Sequence, residues 1–245
     1  MSVVLVTGAA GAMGQEVCSL LAESGKRVVC ADINDPSAVA QGLAGRGHDA
    51  IATVLDVTDP GSWCDAVAQA RDRFGGVDAL VNVAATVTDG PDSVLDVDVA
   101  EWRRVLDVNV IGLALGMSAV APALRRSGGG RIVNVASIVG LRGNATHAAY
   151  SASKGGVIAL TRQAAVALAP YRITVNCVAP GVMEKAMLGK DTNTEDRAQW
   201  LAGVPFARAV REIEVARAID YFLAPEAGIV TGQVLAVDGG RTARL

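Results

Sequence analysis

Short valine-rich apolar runs alternate with helical patterns along the whole chain. Val3–Val6, Arg27–Ala31, Ile51–Leu55, Ala79–Val83, Ile132–Ala136, Ile173–Val178 and Val234–Val237 read as strands, mostly apolar and so buried on both sides. Between them lie the helical stretches Met13–Leu21, Ala38–Ala44, Asp59 to about Phe74, Asp98 to about Leu124, the run carrying Tyr150 and Lys154, and Glu212–Leu223. Asp59 before Pro60 is an N-cap with proline at the first helical position, and Asp98 with Glu101 predicts a capping box. Parallel strands need a crossover between them, usually a helix. The alternation therefore predicts an α/β fold: a doubly wound parallel sheet of about seven strands with helices on both faces. No repeat or linker interrupts residues 1–245, which read as one catalytic domain; the polar, aperiodic stretch 182–205 reads as a substrate lid.

Thr7–Gly14, T-G-A-A-G-A-M-G, follows the first strand and opens the first helix, the context that makes a glycine-rich turn a Rossmann-type dinucleotide fingerprint. Glycines let the backbone approach a pyrophosphate, and the helix N-terminus offers it free N–H groups. Asp32 ends the second strand, where an acid accepts hydrogen bonds from ribose hydroxyls and repels a 2′-phosphate. No arginine stands in the turn or just after Asp32, so the expected cofactor is NAD. Asp56 and Val57, after the third strand, are placed to meet the adenine, although a turn residue before an N-cap accounts for Asp56 nearly as well.

Tyr150 and Lys154 lie four residues apart, on one face of a helix. A cation beside a phenol favours phenolate and lowers its pKa, which suits the pair to exchange a proton with a reacting oxygen.

Together these pieces resemble the short-chain dehydrogenase/reductase family, in its short single-domain branch, over essentially the whole chain. The glycine turn is similar to T-G-x-x-x-G-x-G, with Ala12 where the middle glycine is expected. Asn82-Val83-Ala84-Ala85 keeps the first and third positions of the family's N-N-A-G, a motif that mainly stabilises the sheet. Asn109, Ser137, Tyr150 and Lys154 match the family's catalytic set; Pro180-Gly181 matches the loop over the nicotinamide, with Glu184 and Lys185 where a threonine is usual. The resemblance implies Tyr150 as general acid/base, Lys154 as its pKa modulator and ribose ligand, Ser137 as the group orienting the reacting oxygen, and Asn109 as the holder of a water. The expected cofactor contacts are Gly8, Gly11, Ala12, Met13, Gly14, Asp32, Ile33, Asp56, Val57, Asn82, Ala84, Tyr150, Lys154, Pro180, Gly181 and Val182. The substrate contacts are Val139, Met183 and Met187, apolar enough to suit a compact secondary alcohol or ketone, with Asn144 and His147 placed for a polar substituent, although a loop histidine bonded to backbone accounts for His147 as well. A 3-oxoacyl-thioester reductase is the alternative, and a non-catalytic NAD-binding protein a weaker one.

Composition narrows the partners. Net charge is −3 with no long Lys/Arg block, which argues against nucleic acid. Cys18, Cys30, Cys64 and Cys177 lack C-x-x-C spacing, and His48 and His147 are the only histidines, so no metal site is expected. All four thiols read as buried in a reducing compartment. No charged-then-apolar leader opens the chain and no apolar run suggests a bilayer span, so a cytoplasmic protein is expected. Small residues on the long helix and the Tyr150 helix (Ala114, Gly116, Ala119, Ala152, Gly155, Gly156, Ala159), with the 51% hydrophobic content, point to close subunit contacts; a homotetramer follows from the family.

Overall fold

The computed structural model describes residues 2–90, 92–187 and 194–244. Seven strands form one sheet: β1 Val3–Thr7, β2 Arg27–Asp32, β3 Ala50–Val54, β4 Ala79–Asn82, β5 Gly130–Val135, β6 Ile173–Pro180 and β7 Val234–Val237. All pairings are parallel, in the order β3-β2-β1-β4-β5-β6-β7. The order reverses between β1 and β4, and in such sheets the crevice beyond the strands' carboxyl ends at that switch is where ligands bind.

Alternate strand residues feed two cores, as period-2 geometry requires. Val4, Val6, Val28 and Cys30 pack against α1 (Ala12–Glu23), α2 (Ser37–Ala44) and α9 (Glu212–Leu223). Leu5, Val29, Leu80 and Ile132 pack against α3 (Pro60–Phe74), α5 (Leu113–Arg126) and α6 (Ala148–Leu168), with Trp63 the largest fully buried side chain. Asn82 Nδ2 donates to Asn134 Oδ1 at 2.9 Å, and Asn134 Nδ2 to Thr161 Oγ1 at 3.0 Å, a buried polar chain tying β4 and β5 to α6.

Several expectations are corrected. The long helix is not regular: α4 (Val99–Leu106) passes into a π-helical segment, Asp107–Gly112, before α5. Asp98 does cap α4, accepting from Ala100 N and Glu101 N. Glu101 does not return the bond, because Arg104 takes both its oxygens at 2.9 and 2.7 Å. The stretch 182–205 is not wholly irregular: α7 (Glu184–Met187) and α8 (Thr194–Leu201) lie within it, and α8 carries Glu195 and Asp196 in its first turn, where acids suit the helix dipole. Cys64 is exposed on α3, unlike the three buried cysteines. Val99–Arg126 is 28 residues long with a window hydropathy of 1.7, enough by composition to span a bilayer. It packs into the core of the sheet's second face instead, through Val120, Leu124 and their neighbours.

Candidate active site

The glycine turn is folded back on itself. Gly8 has φ +70, a region glycine enters freely, and a Cβ there would lie 2.8 Å from Ala84 N. A Cβ on Gly14 would lie 2.0 Å from the Gly8 carbonyl oxygen, so the first turn of α1 sits directly on the loop. No side chain caps α1 and no acid stands in its first turn, so its leading N–H groups are open to an anion. Asp32 braces the loop from β2: Oδ2 accepts from Ala10 N and Oδ1 from Asn34 N, both at 2.9 Å. Thr7 Oγ1 accepts from Val83 N and Ala84 N at 3.1 Å, holding the switch point closed. Ile33 is 63% exposed at the lip. A cradle without Cβ atoms, open N–H donors and a carboxylate at its rim fit the diphosphate and ribose of a dinucleotide.

Two cofactor expectations shift. Asp56 Oδ1 accepts from Thr58 N at 2.9 Å and Thr58 Oγ1 at 2.7 Å, and Val57 O accepts from Trp63 Nε1 at 2.9 Å, so both also serve to shape the β3–α3 loop. The Asn82 side chain is spent inside the sheet, on Asn134, rather than on the cleft.

The chemistry is assembled beyond β5. Ser137 opens a 3-10 turn, Ile138–Gly140, which is pressed onto α6: a Cβ on Gly140 would meet the Lys154 carbonyl carbon at 2.6 Å. Tyr150 stands in the first turn of α6, where the Ser137 hydroxyl favours its phenolate. Its ring is half-buried, yet desolvation pushes the phenol up to about 12, against the lowering effect of the Ser137 hydroxyl. The expected lowering by Lys154 is corrected: the ammonium is 5.4 Å from the ring centroid and donates to Val135 O at 2.9 Å. Burial brings Lys154 down to about 8, with Cys177 raising it slightly. Asn109, on the π segment, is 1% exposed. Its Nδ2 donates to Thr86 O at 2.8 Å and Ser153 Oγ at 3.0 Å, and its Oδ1 accepts from Thr86 N at 2.7 Å. Both amide protons are committed to protein, which leaves one carbonyl lone pair for a water.

Pro180 and Gly181 end β6, where a Cβ on Gly181 would meet Asp238 Cα at 2.9 Å. Val182 is 4% exposed and packs with Ala209 and Leu201. Met183 is corrected: at 6% exposure it belongs to the α1/α9 core, drawn there by its bridge to Val210. Val139 is half-buried and Asn144 exposed. The Met187 side chain and Leu188 lie outside the described residues. His147 adopts a left-handed backbone at φ 62, and its Nδ1 is buried without a partner.

No local pattern marks the role of the loop between β4 and α4. Arg104 donates to Thr86 Oγ1 and Val87 O, both at 2.7 Å, and Glu101 Oε2 accepts from Asp89 N at 3.0 Å. Asp92 then reaches α6, accepting from Ala149 N at 2.8 Å. Glu212, 2% exposed, accepts from Lys185 N at 2.8 Å and ties α9 to the start of α7.

A family model described as enoyl-(acyl carrier protein) reductase matches residues 8–242. The chain is 40% identical to trans-4-hydroxycyclohexanecarboxylate dehydrogenase of Sinomonas cyclohexanicum, over 98% of this chain and 93% of that protein. It is 41% identical to cyclopentanol dehydrogenase of Comamonas testosteroni, over 98% and 97% of the two chains. A 3-oxoacyl-(acyl-carrier-protein) reductase of Vibrio cholerae is 38% identical over 97% and 96%. The crystal structure of levodione reductase superposes with a TM-score of 0.92 at 28% identity, covering 100% and 98% of the two chains.

Proposed function

The chain belongs to the short-chain dehydrogenase/reductase family, and from that premise we propose that it interconverts a compact cyclic secondary alcohol and its ketone with NAD(H) as the hydride partner. The observation that carries this reading is the convergence of Tyr150, a Ser137 hydroxyl that favours its phenolate, and a buried Lys154 whose ammonium lies 5.4 Å from the Tyr150 ring. The ring-alcohol dehydrogenases among its relatives support the substrate class.

A bound nicotinamide supplies or accepts the hydride. Gly8, Gly11 and Gly14 would make room for the pyrophosphate, Ala12 and Met13 would offer it main-chain N–H groups, and Asp32 would accept from the ribose hydroxyls. Ala84, Pro180, Gly181 and Val182 frame the ring side of the cleft. In reduction, Tyr150, held protonated by burial, gives its proton to the carbonyl oxygen while Ser137 donates a hydrogen bond to the same oxygen. In oxidation, Tyr150 must first lose that proton, and Lys154, which still carries its charge at neutral pH, favours the phenolate by turning from Val135 O toward the ring. Val139 and His147 border the ring of the substrate.

We further propose a cytoplasmic homotetramer. The buried thiols Cys18, Cys30 and Cys177 suit a reducing compartment. Ala159 is exposed on α6 and Ala114 half-buried on α5, whereas Ala119 packs against the core and Gly116 faces inward, since a Cβ there would strike Trp63 at 2.5 Å. Light scattering should return about four times the 25.0 kDa chain mass.

Tyr150→Phe tests the central reading. It should bind NADH with unchanged affinity and lose cyclopentanol oxidation by at least about a hundredfold. Near-normal turnover would remove Tyr150 from the acid/base role.

A further inference from the structure

The helix that presents Tyr150 begins badly on its own. His147, at its N-cap position, is left-handed and offers no side-chain acceptor to the first turn. Helix N-termini carry four N–H groups with no intrahelical partner, and a buried start needs an acceptor from elsewhere. Here it comes from 57 residues away: Ala149 N donates to Asp92 Oδ2 at 2.8 Å, and Ala148 N to the Asp92 carbonyl at 3.4 Å. The other carboxylate oxygen of Asp92 lies 3.1 Å from Thr88 Oγ1, whose residue is 7% exposed.

We infer that Asp92 is a positioning residue for Tyr150: it caps α6 in place of His147, and so fixes the phenol against Ser137. The inference rests on Tyr150 being the acid/base, as read above. The loop that supplies Asp92 is itself pinned at three points. Asn109 holds Thr86 from the π segment, Arg104 holds Thr86 and Val87, and Glu101 holds Asp89. The loop held from Asn109, Arg104 and Glu101 thus hands on, through Asp92, to the residue next to Tyr150. Without the cap, the turn bearing Tyr150 becomes a fraying helix end, and the phenol loses its fixed distance to Ser137. Reaction rates are steep in that distance, while cofactor binding at the glycine turn does not depend on it.

The test uses the full-length enzyme with NAD and cyclopentanol. Asp92→Ala should lower kcat roughly tenfold to a hundredfold and leave the KM for NAD within about twofold. Asp92→Asn keeps an acceptor of equal rank at a helix N-cap and should restore kcat to within about twofold of the parent. Asp59→Ala removes a cap of the same chemistry, from Gly61 N and Ser62 N on α3, and controls for lost stability. It should lower the melting temperature about as much as Asp92→Ala and leave kcat unchanged. A parental kcat in Asp92→Ala overturns the inference, as does an Asn variant no better than the Ala variant, or an equal loss of kcat in Asp59→Ala. None of these touches the assignment of Tyr150, which stands or falls with Tyr150→Phe.

Discussion

Gly14→Ala probes how the cofactor cradle is built. The new Cβ would lie 2.0 Å from the Gly8 oxygen, 2.7 Å from the Gly8 carbonyl carbon and 2.8 Å from Ala9 Cα. An optimal heavy-atom contact is about 3.5 Å, so the oxygen would have to retreat by about 1.5 Å. All three obstacles are backbone, and no rotamer change relieves them. The loop cannot simply give way, because Asp32 holds Ala10 N from β2. The helix must then lift, drawing Val17, Cys18 and Leu21 out of a core where each is fully buried. Overpacking of this kind costs about 1–3 kcal/mol, and an unyielding site belongs in the upper half of that range. At roughly 2–4 °C per kcal/mol for a domain of this size, the melting temperature should fall by about 4–12 °C. Gly11→Ala is the matched control: its φ is −76 and its nearest foreign atom is 3.4 Å away, so it should melt within about 2 °C of the parent. Scanning fluorimetry reads the stability, and quenching of NADH fluorescence reads the affinity. A Gly14→Ala protein with parental melting and parental NADH affinity would refute the steric reasoning.

Other outcomes follow from the same geometry. Asp32→Ala should reduce the preference for NADH over NADPH, as a ratio of kcat/KM, by about tenfold or more; an unchanged ratio would remove Asp32 as the discriminating charge. Lys154 is charged below about 8 in the fold but up to its ordinary 10.5 when unfolded, so its burial is a penalty of about 3 kcal/mol that is full below pH 8 and relieved as pH rises toward 10.5. The stability of Lys154→Met relative to the parent, from urea midpoints, should therefore be highest near neutral pH and decline across pH 8–10.5. The opposite trend from Cys177, pushed up to about 11 by burial and held down by the Lys154 charge, is larger in the Met variant and adds to that decline. A difference that does not change with pH would contradict the assignment.

The sheet was legible because each strand is a short apolar run set off by a turn signal, and a parallel sheet leaves little choice of partners. Ser137, Tyr150 and Lys154 were legible because their spacing follows strand ends and helix turns, which are local. What was not legible is set by contacts distant in sequence. Asp92 looks like any loop acid until the fold brings it to Ala149. Lys154 was expected to face the phenol, but the chain offered no way to see that Val135 O competes for it. Met183 follows Val182 in an apolar pair, and nothing local distinguishes a pocket wall from a core residue. The Glu101 capping box failed for a local reason, since an arginine three residues on is a stronger partner than a backbone N–H. The π segment left no mark, because V-L-D-V-N-V-I-G suits a regular helix equally well.

That segment carries a consequence for how the molecule tolerates change. A π turn amounts to one surplus residue in an α-helix, and one residue is about 100° of rotation. The half that carries Arg104 and the half that sets Gly116 against Trp63 are thereby phased independently of each other. Deleting a single residue between 107 and 112 would let the helix wind regularly at no local cost. It would also swing Asn109 around the axis and release the loop that reaches Tyr150, a loss of function from a backbone made more ordinary.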